Sequence, residues 1–314
     1  MVPSNGITLG VFCAGPETGP AVVLCHGFPE LAYSWRFQIP ALAAAGYRVL
    51  APDMRGFGHS DRPASVSDYG LQDLCLDVTG VLDHFGITQS VVVGHDWGGA
   101  VAWALPLRHP DRVRGVAGIN TPFTPRNPRY RPMESFARKF GDEMYIVQFQ
   151  TPGVADELFA RDCTATMRFF MRRSRYSAEQ FAHAPKAVRS LNLLRALEQG
   201  NADLWASESV VSDEAIAVFA RAFERTGFTG GINWYRNMDR NWETSADLPQ
   251  HISQPALMIM AENDVVLPPS AADGMETYVP NLTRHLVKNC GHWTQQEHPD
   301  EVNRVLLDWL ATLN

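Results

Sequence analysis

Three residues of this 314-residue chain have the side chains and the surroundings for nucleophilic catalysis: Asp96, Asp264 and His292. Asp96 stands in Gly94-His95-Asp96-Trp97-Gly98-Gly99, directly after Val91-Val92-Val93. The valines read as a short buried strand, and from Gly98 to His109 small and apolar residues recur at helical spacing. Strand, glycine-flanked turn and helix together make a nucleophile elbow, in which small residues let strand and helix pack around a strained apex. Serine is the usual apex residue. An aspartate there is already an anion near neutral pH and can attack carbon without a base to activate it. The alternative is an Asp that merely caps the following helix.

Asp264 lies in Ala261-Glu262-Asn263-Asp264 and His292 in Asn289-Cys290-Gly291-His292-Trp293, each behind a strand-like run. Loops that follow the carboxyl ends of parallel strands share one edge of the sheet. The three residues are therefore expected to meet there, in the order nucleophile, acid, base. His26-Gly27-Phe28-Pro29-Glu30 also follows a strand and would offer backbone N–H groups to a developing oxyanion. The loop Asp53 to Pro63 mixes glycines with charges but matches neither a P-loop nor GxGxxG, so Asp53, Arg55 and Asp61 read as turn and ion-pair residues. The remaining histidines show no HExxH or comparable spacing, and no metal is expected.

These residues need a scaffold, and strands alternate with helices as a parallel, doubly wound sheet requires. Strand runs are expected at 7–12, 21–25, 47–52, 91–93, 113–120, 256–260 and 283–287. Helices are expected at 31–45, 71–85, 98–109 and 299–313. Between Thr121 and Asp247 the rhythm breaks: amphipathic helices fit 155–170, 178–181, 186–197 and 213–225, with no buried strand run. This predicts a core of residues 1–123 and 248–314 with a helical lid, 124–247, inserted between them. A net charge of -7 and a pI near 5.8 argue against nucleic-acid or anionic-membrane partners. Five scattered cysteines without CxxC spacing suggest free thiols in a reducing compartment. Neither a signal peptide nor a membrane span is visible, so a cytoplasmic protein is expected.

With those motifs in view, the chain resembles the α/β-hydrolase-fold epoxide hydrolases over nearly its whole length, most of all the soluble type with two lid tyrosines. His26-Gly27-Phe28-Pro29 is similar to that family's HGxP motif, and Gly94 to Gly99 to its aspartate nucleophile motif. Gly231-Ile232-Asn233-Trp234-Tyr235-Arg236-Asn237-Met238 resembles the segment bearing one epoxide-polarising tyrosine. Tyr145, upstream of Gln150-Thr151-Pro152-Gly153-Val154, falls where the other would be. The resemblance implies an α/β-hydrolase fold with a cap. It also implies attack by Asp96 through a covalent ester, Tyr145 and Tyr235 as donors to the epoxide oxygen, and His292 with Asp264 hydrolysing the ester. The N–H groups of Phe28 and Trp97 would form the oxyanion hole. Phe28, Trp97, Phe123, Trp234 and Trp293 would line an apolar pocket for a small epoxide, with water as co-substrate and no cofactor, in a monomer or homodimer. A haloalkane dehalogenase shares the fold, the Asp nucleophile and the following Trp. Many dehalogenases, however, place an Asn where this chain has Phe28, and some place their acid where it has Asn120. A non-enzymatic binding protein on the same fold should lack one of Asp96, His292 or a plausible acid, and none is lacking.

Overall fold

The computed structural model describes residues 1–200 and 206–313. In chain order its strands are β1 (Val2–Ser4), β2 (Ile7–Leu9), β3 (Val11–Ala14), β4 (Ala21–Cys25), β5 (Arg48–Pro52), β6 (Ser90–His95) and β7 (Val113–Ile119). After the helical insertion's β8 (Arg172–Ser174) and β9 (Ala206–Ser209) come β10 (Ala256–Ala261) and β11 (Leu282–Val287). Seven of them form one sheet in the order β11-β10-β7-β6-β4-β5-β3; β3 runs antiparallel to β5 and every other pairing is parallel.

Burial explains why the central strands are continuous apolar runs: both of their faces are covered. Val22, Leu24, Val91, Val93, Ala117, Ile119, Leu257 and Ile259 face one core, which is closed by the helices Gln38–Ala44 and Pro299–Ala311. Val23, Cys25, Val92, Val116 and Met258 face the other, with the helices Leu71–His84 and Trp97–Arg108 and much of the insertion. Among the described residues no helix is long and apolar enough to cross a membrane.

Three expected helices are broken, each for a local reason. Residues 31–45 form a short turn, Ala32–Trp35, followed by a helix that starts only at Gln38. Pro40 has no N–H to give to a preceding turn and suits the first turn of the helix. Residues 155–170 divide into Val154–Ala160 and Cys163–Phe170, because Asp162 takes an extended conformation and caps the second helix by accepting from the Ala165 N–H. Residues 186–197 divide where Leu191 has a φ of 52° and Asn192 caps Leu193–Glu198. The insertion also holds the helices Pro132–Phe140, Tyr145–Gln148, Thr229–Arg236 and Met238–Glu243, and a small antiparallel pair β8–β9, which the periodicity did not reveal.

Candidate active site

The tip of β6 delivers Asp96. Its φ of 52° is unusual for a residue with a Cβ. The turn is held by close packing behind it, where a Cβ on Gly98 would lie 2.0 Å from the Cys25 carbonyl oxygen. Asp96 precedes the helix Trp97–Arg108, but its carboxylate does not cap it. Instead Oδ1 accepts the Phe28 N–H at 2.8 Å, across from the end of β4. Gly27 makes that approach possible, since a Cβ there would sit 2.3 Å from Oδ1. The Thr121 hydroxyl donates to the Asp96 carbonyl at 2.6 Å, fixing the turn from the β7 side.

Asp264 and His292 arrive from the ends of β10 and β11. His292 Nδ1 is 2.8 Å from Asp264 Oδ2, and its Nε2 is 3.7 Å from Asp96 Oδ2. Asp264 is fully buried, whereas Asp96 and His292 keep 14% and 18% of their side-chain surface open. Only the outer two can meet a substrate. Burial raises the Asp264 pKa, but the imidazole charge and hydrogen bond, the Leu267 N–H and the Asn120 amide overcome this and hold it at about 2. Burial likewise works against a charge on His292; the carboxylates of Asp264 and then Asp96 outweigh it and keep the imidazole well above its ordinary value.

Behind this row lies a polar layer that the sequence did not single out. Asn120 donates to Asp264 Oδ2 at 2.7 Å and accepts from the Thr294 hydroxyl at 2.7 Å. His95, next to Asp96, pairs with the buried Glu30 at 2.7 Å, and its other ring nitrogen reaches the His292 carbonyl at 2.8 Å. Glu30 directly follows the HGxP-like motif, and Asn120 stands where some dehalogenases place their acid. A position inside or beside a motif was the one available signal.

The insertion supplies the opposite wall. The rings of Tyr145 and Tyr235 are centred 6.0 Å apart and expose only 8% and 5% of their surface. Burial first, and the Asp96 carboxylate second, push both phenols above their ordinary pKa, so each holds its proton. Phe28 meets Tyr235 at 5.5 Å and Phe149 at 5.9 Å, and Trp97 meets Tyr235 at 5.0 Å, giving an aromatic surface beside the carboxylate. Trp293 stacks edge-on against His292 at 4.9 Å. The other two expected lining residues sit in packing seams. Trp234 is fully buried, donating its indole N–H to the Arg55 carbonyl and packing on Phe57 as well as on Trp97. Phe123 packs between Trp103 and Tyr278. Asp53, Arg55 and Asp61 do structural work: Arg55 forms a buried bidentate pair with Asp77, Asp53 accepts the Ala32 and His59 N–H groups, and Asp61 accepts that of Thr8. Among the described residues no group of three or more His, Cys, Asp or Glu is placed to hold a metal ion.

Comparison with known proteins identifies the family. A family profile for the alpha/beta hydrolase fold matches residues 20–299. Epoxide hydrolase A of Mycobacterium tuberculosis is 44% identical over 322 residues, covering 100% of this chain and 97% of that protein. The bifunctional epoxide hydrolase 2 of Sus scrofa is 44% identical over 297 residues, covering 94% of this chain but 52% of the pig protein. This chain thus spans about half the length of the mammalian relatives it matches. The crystal structure of epoxide hydrolase A from Mycobacterium thermoresistibile superposes with a TM-score of 0.87 at 40% identity, covering 99% of this chain and 97% of that one. The chain belongs to the α/β-hydrolase fold family and, within it, to the epoxide hydrolases.

Proposed function

We propose that this protein converts epoxides to vicinal diols through a covalent ester on Asp96, with residues 1–123 and 248–314 as the hydrolase core and 124–247 as the cap. Asp96 Oδ2 attacks an epoxide carbon as the C–O bond breaks; Tyr145 and Tyr235 hydrogen-bond the ring oxygen, and one of them hands it the phenolic proton and is reprotonated by solvent. An alkoxide is a poor leaving group, so donors that keep their protons at neutral pH are what the opening step requires. The pair of buried phenols beside Asp96 is the observation that carries this reading.

Ester formation removes the negative charge of Asp96, one of the two carboxylates that hold His292 protonated. The imidazole pKa then falls, His292 gives up its proton to solvent, and the neutral ring is a base just when water must be activated. Water attacks the ester carbonyl, His292 takes its proton, and the tetrahedral oxyanion rests on the N–H groups of Phe28 and Trp97. Collapse expels the alkoxide, which takes the proton of the newly added hydroxyl; this returns the Asp96 carboxylate and the His292 imidazolium and releases the diol. The substrate surface is Phe28, Trp97 and Trp293 with the cap aromatics, which suits a small apolar epoxide; Phe123 and Trp234 act from behind it. Four of the five free cysteines are buried, which fits the reducing cytoplasm in which we place the protein.

The test is to offer styrene oxide, an aliphatic terminal epoxide and 1-bromobutane side by side. Diol without bromide is expected. Bromide without diol would establish a dehalogenase instead, and binding of the compounds without turnover would indicate a binding protein.

A further inference from the structure

The loop carrying His292 is held by more than the residues that reach its ring. Glu297 closes the short helix Thr294–Glu297, and its fully buried carboxylate folds back onto the loop. Oε2 accepts the Gly291 N–H at 3.1 Å and Oε1 accepts the Trp293 N–H at 3.2 Å, so the two amides flanking the imidazole share one carboxylate. The fit is tight: a Cβ on Gly291 would come within 2.9 Å of Oε1. The cation that pairs with Glu297 comes from the insertion. It is Arg173, the middle residue of β8, whose Nε lies 3.2 Å from Oε2 while the side chain remains 45% exposed. Two neighbouring contacts follow the same seam: the Trp293 indole donates to the Phe170 carbonyl at 2.8 Å, and the Gln296 amide meets Met171 Sδ at 3.9 Å.

We propose that Glu297 is a positioning residue for His292, and that Arg173 makes this positioning depend on how the cap is seated. The proposal rests on the reading of His292 as the base. A buried carboxylate stripped of its cation is strongly disfavoured, so losing Arg173 drives Glu297 to turn away from its place, and the amides on both sides of His292 lose their anchor. Tyr145 and Tyr235 lie on other cap helices. The strap therefore acts on the step that uses His292 and leaves the step that uses the phenols alone.

Stopped-flow tryptophan fluorescence with styrene oxide separates alkylation from ester hydrolysis. For Arg173→Ala, hydrolysis is expected to slow at least fivefold with alkylation within twofold of the parent, and Arg173→Lys is expected to recover part of the loss. Glu297→Gln keeps the shape but leaves one acceptor oxygen for two N–H donors, so a larger slowing is expected, with substrate-mass adduct accumulating on the Asp96 peptide. Equal slowing of both steps, or none, overturns the proposal. If the parent opens no epoxide, the catalytic reading has failed on its own, and NMR of the His292 Nδ1–H resonance decides the positioning. A shifted or broadened resonance in Arg173→Ala supports it; parent-like resonances in Arg173→Ala and Glu297→Gln overturn it.

Discussion

Each of the five polar side chains at the site has one job set by its surroundings, and the jobs can be separated. Phenylalanine keeps the ring packing of Tyr145 and Tyr235 while removing the hydroxyl. Losing one such donor typically costs on the order of 3 kcal/mol, roughly a hundredfold in rate. Tyr235→Phe and Tyr145→Phe are each expected to slow alkylation, and the double substitution to nearly abolish it in a protein with parent-like circular dichroism. Epoxide opening near the parent rate in the double variant would reduce both tyrosines to packing residues. The coupling between Asp96 and His292 has its own signature. Asp96→Asn removes one of the carboxylates that raise the imidazole pKa, so NMR titration of His292 should show a lower pKa than in the parent. An unchanged value would mean that the two groups, 3.7 Å apart, do not sense one another. That Asp96, Asp264 and His292 come together was legible because each stands in a glycine-rich or post-strand loop at one edge of the sheet. Asn120, Glu30, His95 and Glu297 were not, because a polar residue that serves another polar residue leaves no periodicity in the chain.

Among the elements, the sheet was easier to read than the insertion. Strands buried on both faces write themselves as runs such as Ala21 to Cys25, whereas the insertion's short helices start at capping residues like Asp162 and Asn192 that apolar spacing does not mark. What aligns the two tyrosine helices is polar. Arg236, one residue after Tyr235, makes a bidentate pair with Asp156 at 2.6 and 3.1 Å and donates to the Phe149 carbonyl, and Gln150 bridges the carbonyls of Ile146 and Tyr235. Both partners of the pair are more than nine-tenths buried. Removing one member of such a pair costs about 3–5 kcal/mol, because the other is left buried and unpaired. Arg236→Ala should lower urea-unfolding stability by about 3 kcal/mol and slow alkylation more than hydrolysis, the reverse of the pattern expected for Arg173. The double variant Arg236→Met, Asp156→Leu should regain most of the stability; if it is no better than Arg236→Ala, the pair is not what holds these helices.

At the scale of the whole molecule, the row of Asp96, His292 and Asp264 joins the ends of three strands, so its charges belong to the stability of the fold. Asp264 has an ordinary pKa of 3.8 and is held at about 2; the buried Glu30, on the imidazole of His95, falls from 4.5 to about 2 although burial alone would raise it. A carboxylate depressed in this way adds stability that is present above its unfolded pKa and is lost as pH falls through the folded one. For Asp264 this is about 2 kcal/mol, withdrawn between roughly pH 4 and 2. His292 has the opposite sign. Its folded pKa is raised, so its contribution is complete below about pH 6.5 and is lost as pH rises through the folded value. Together the two groups favour the fold most between about pH 4 and 6.5. Because Asp264 and His292 shift one another, a change at either should flatten both limbs of the stability profile. Urea unfolding at pH 3, 5.5 and 9 would compare the parent with Asp264→Asn and His292→Gln. Asp264→Asn is expected to lose stability mainly at pH 5.5 and to vary less across the three values, with Glu30 sustaining what remains of the acid limb. A variant profile parallel to the parent's at all three values would show that the row is a set of independent charges and not one coupled unit spanning the sheet.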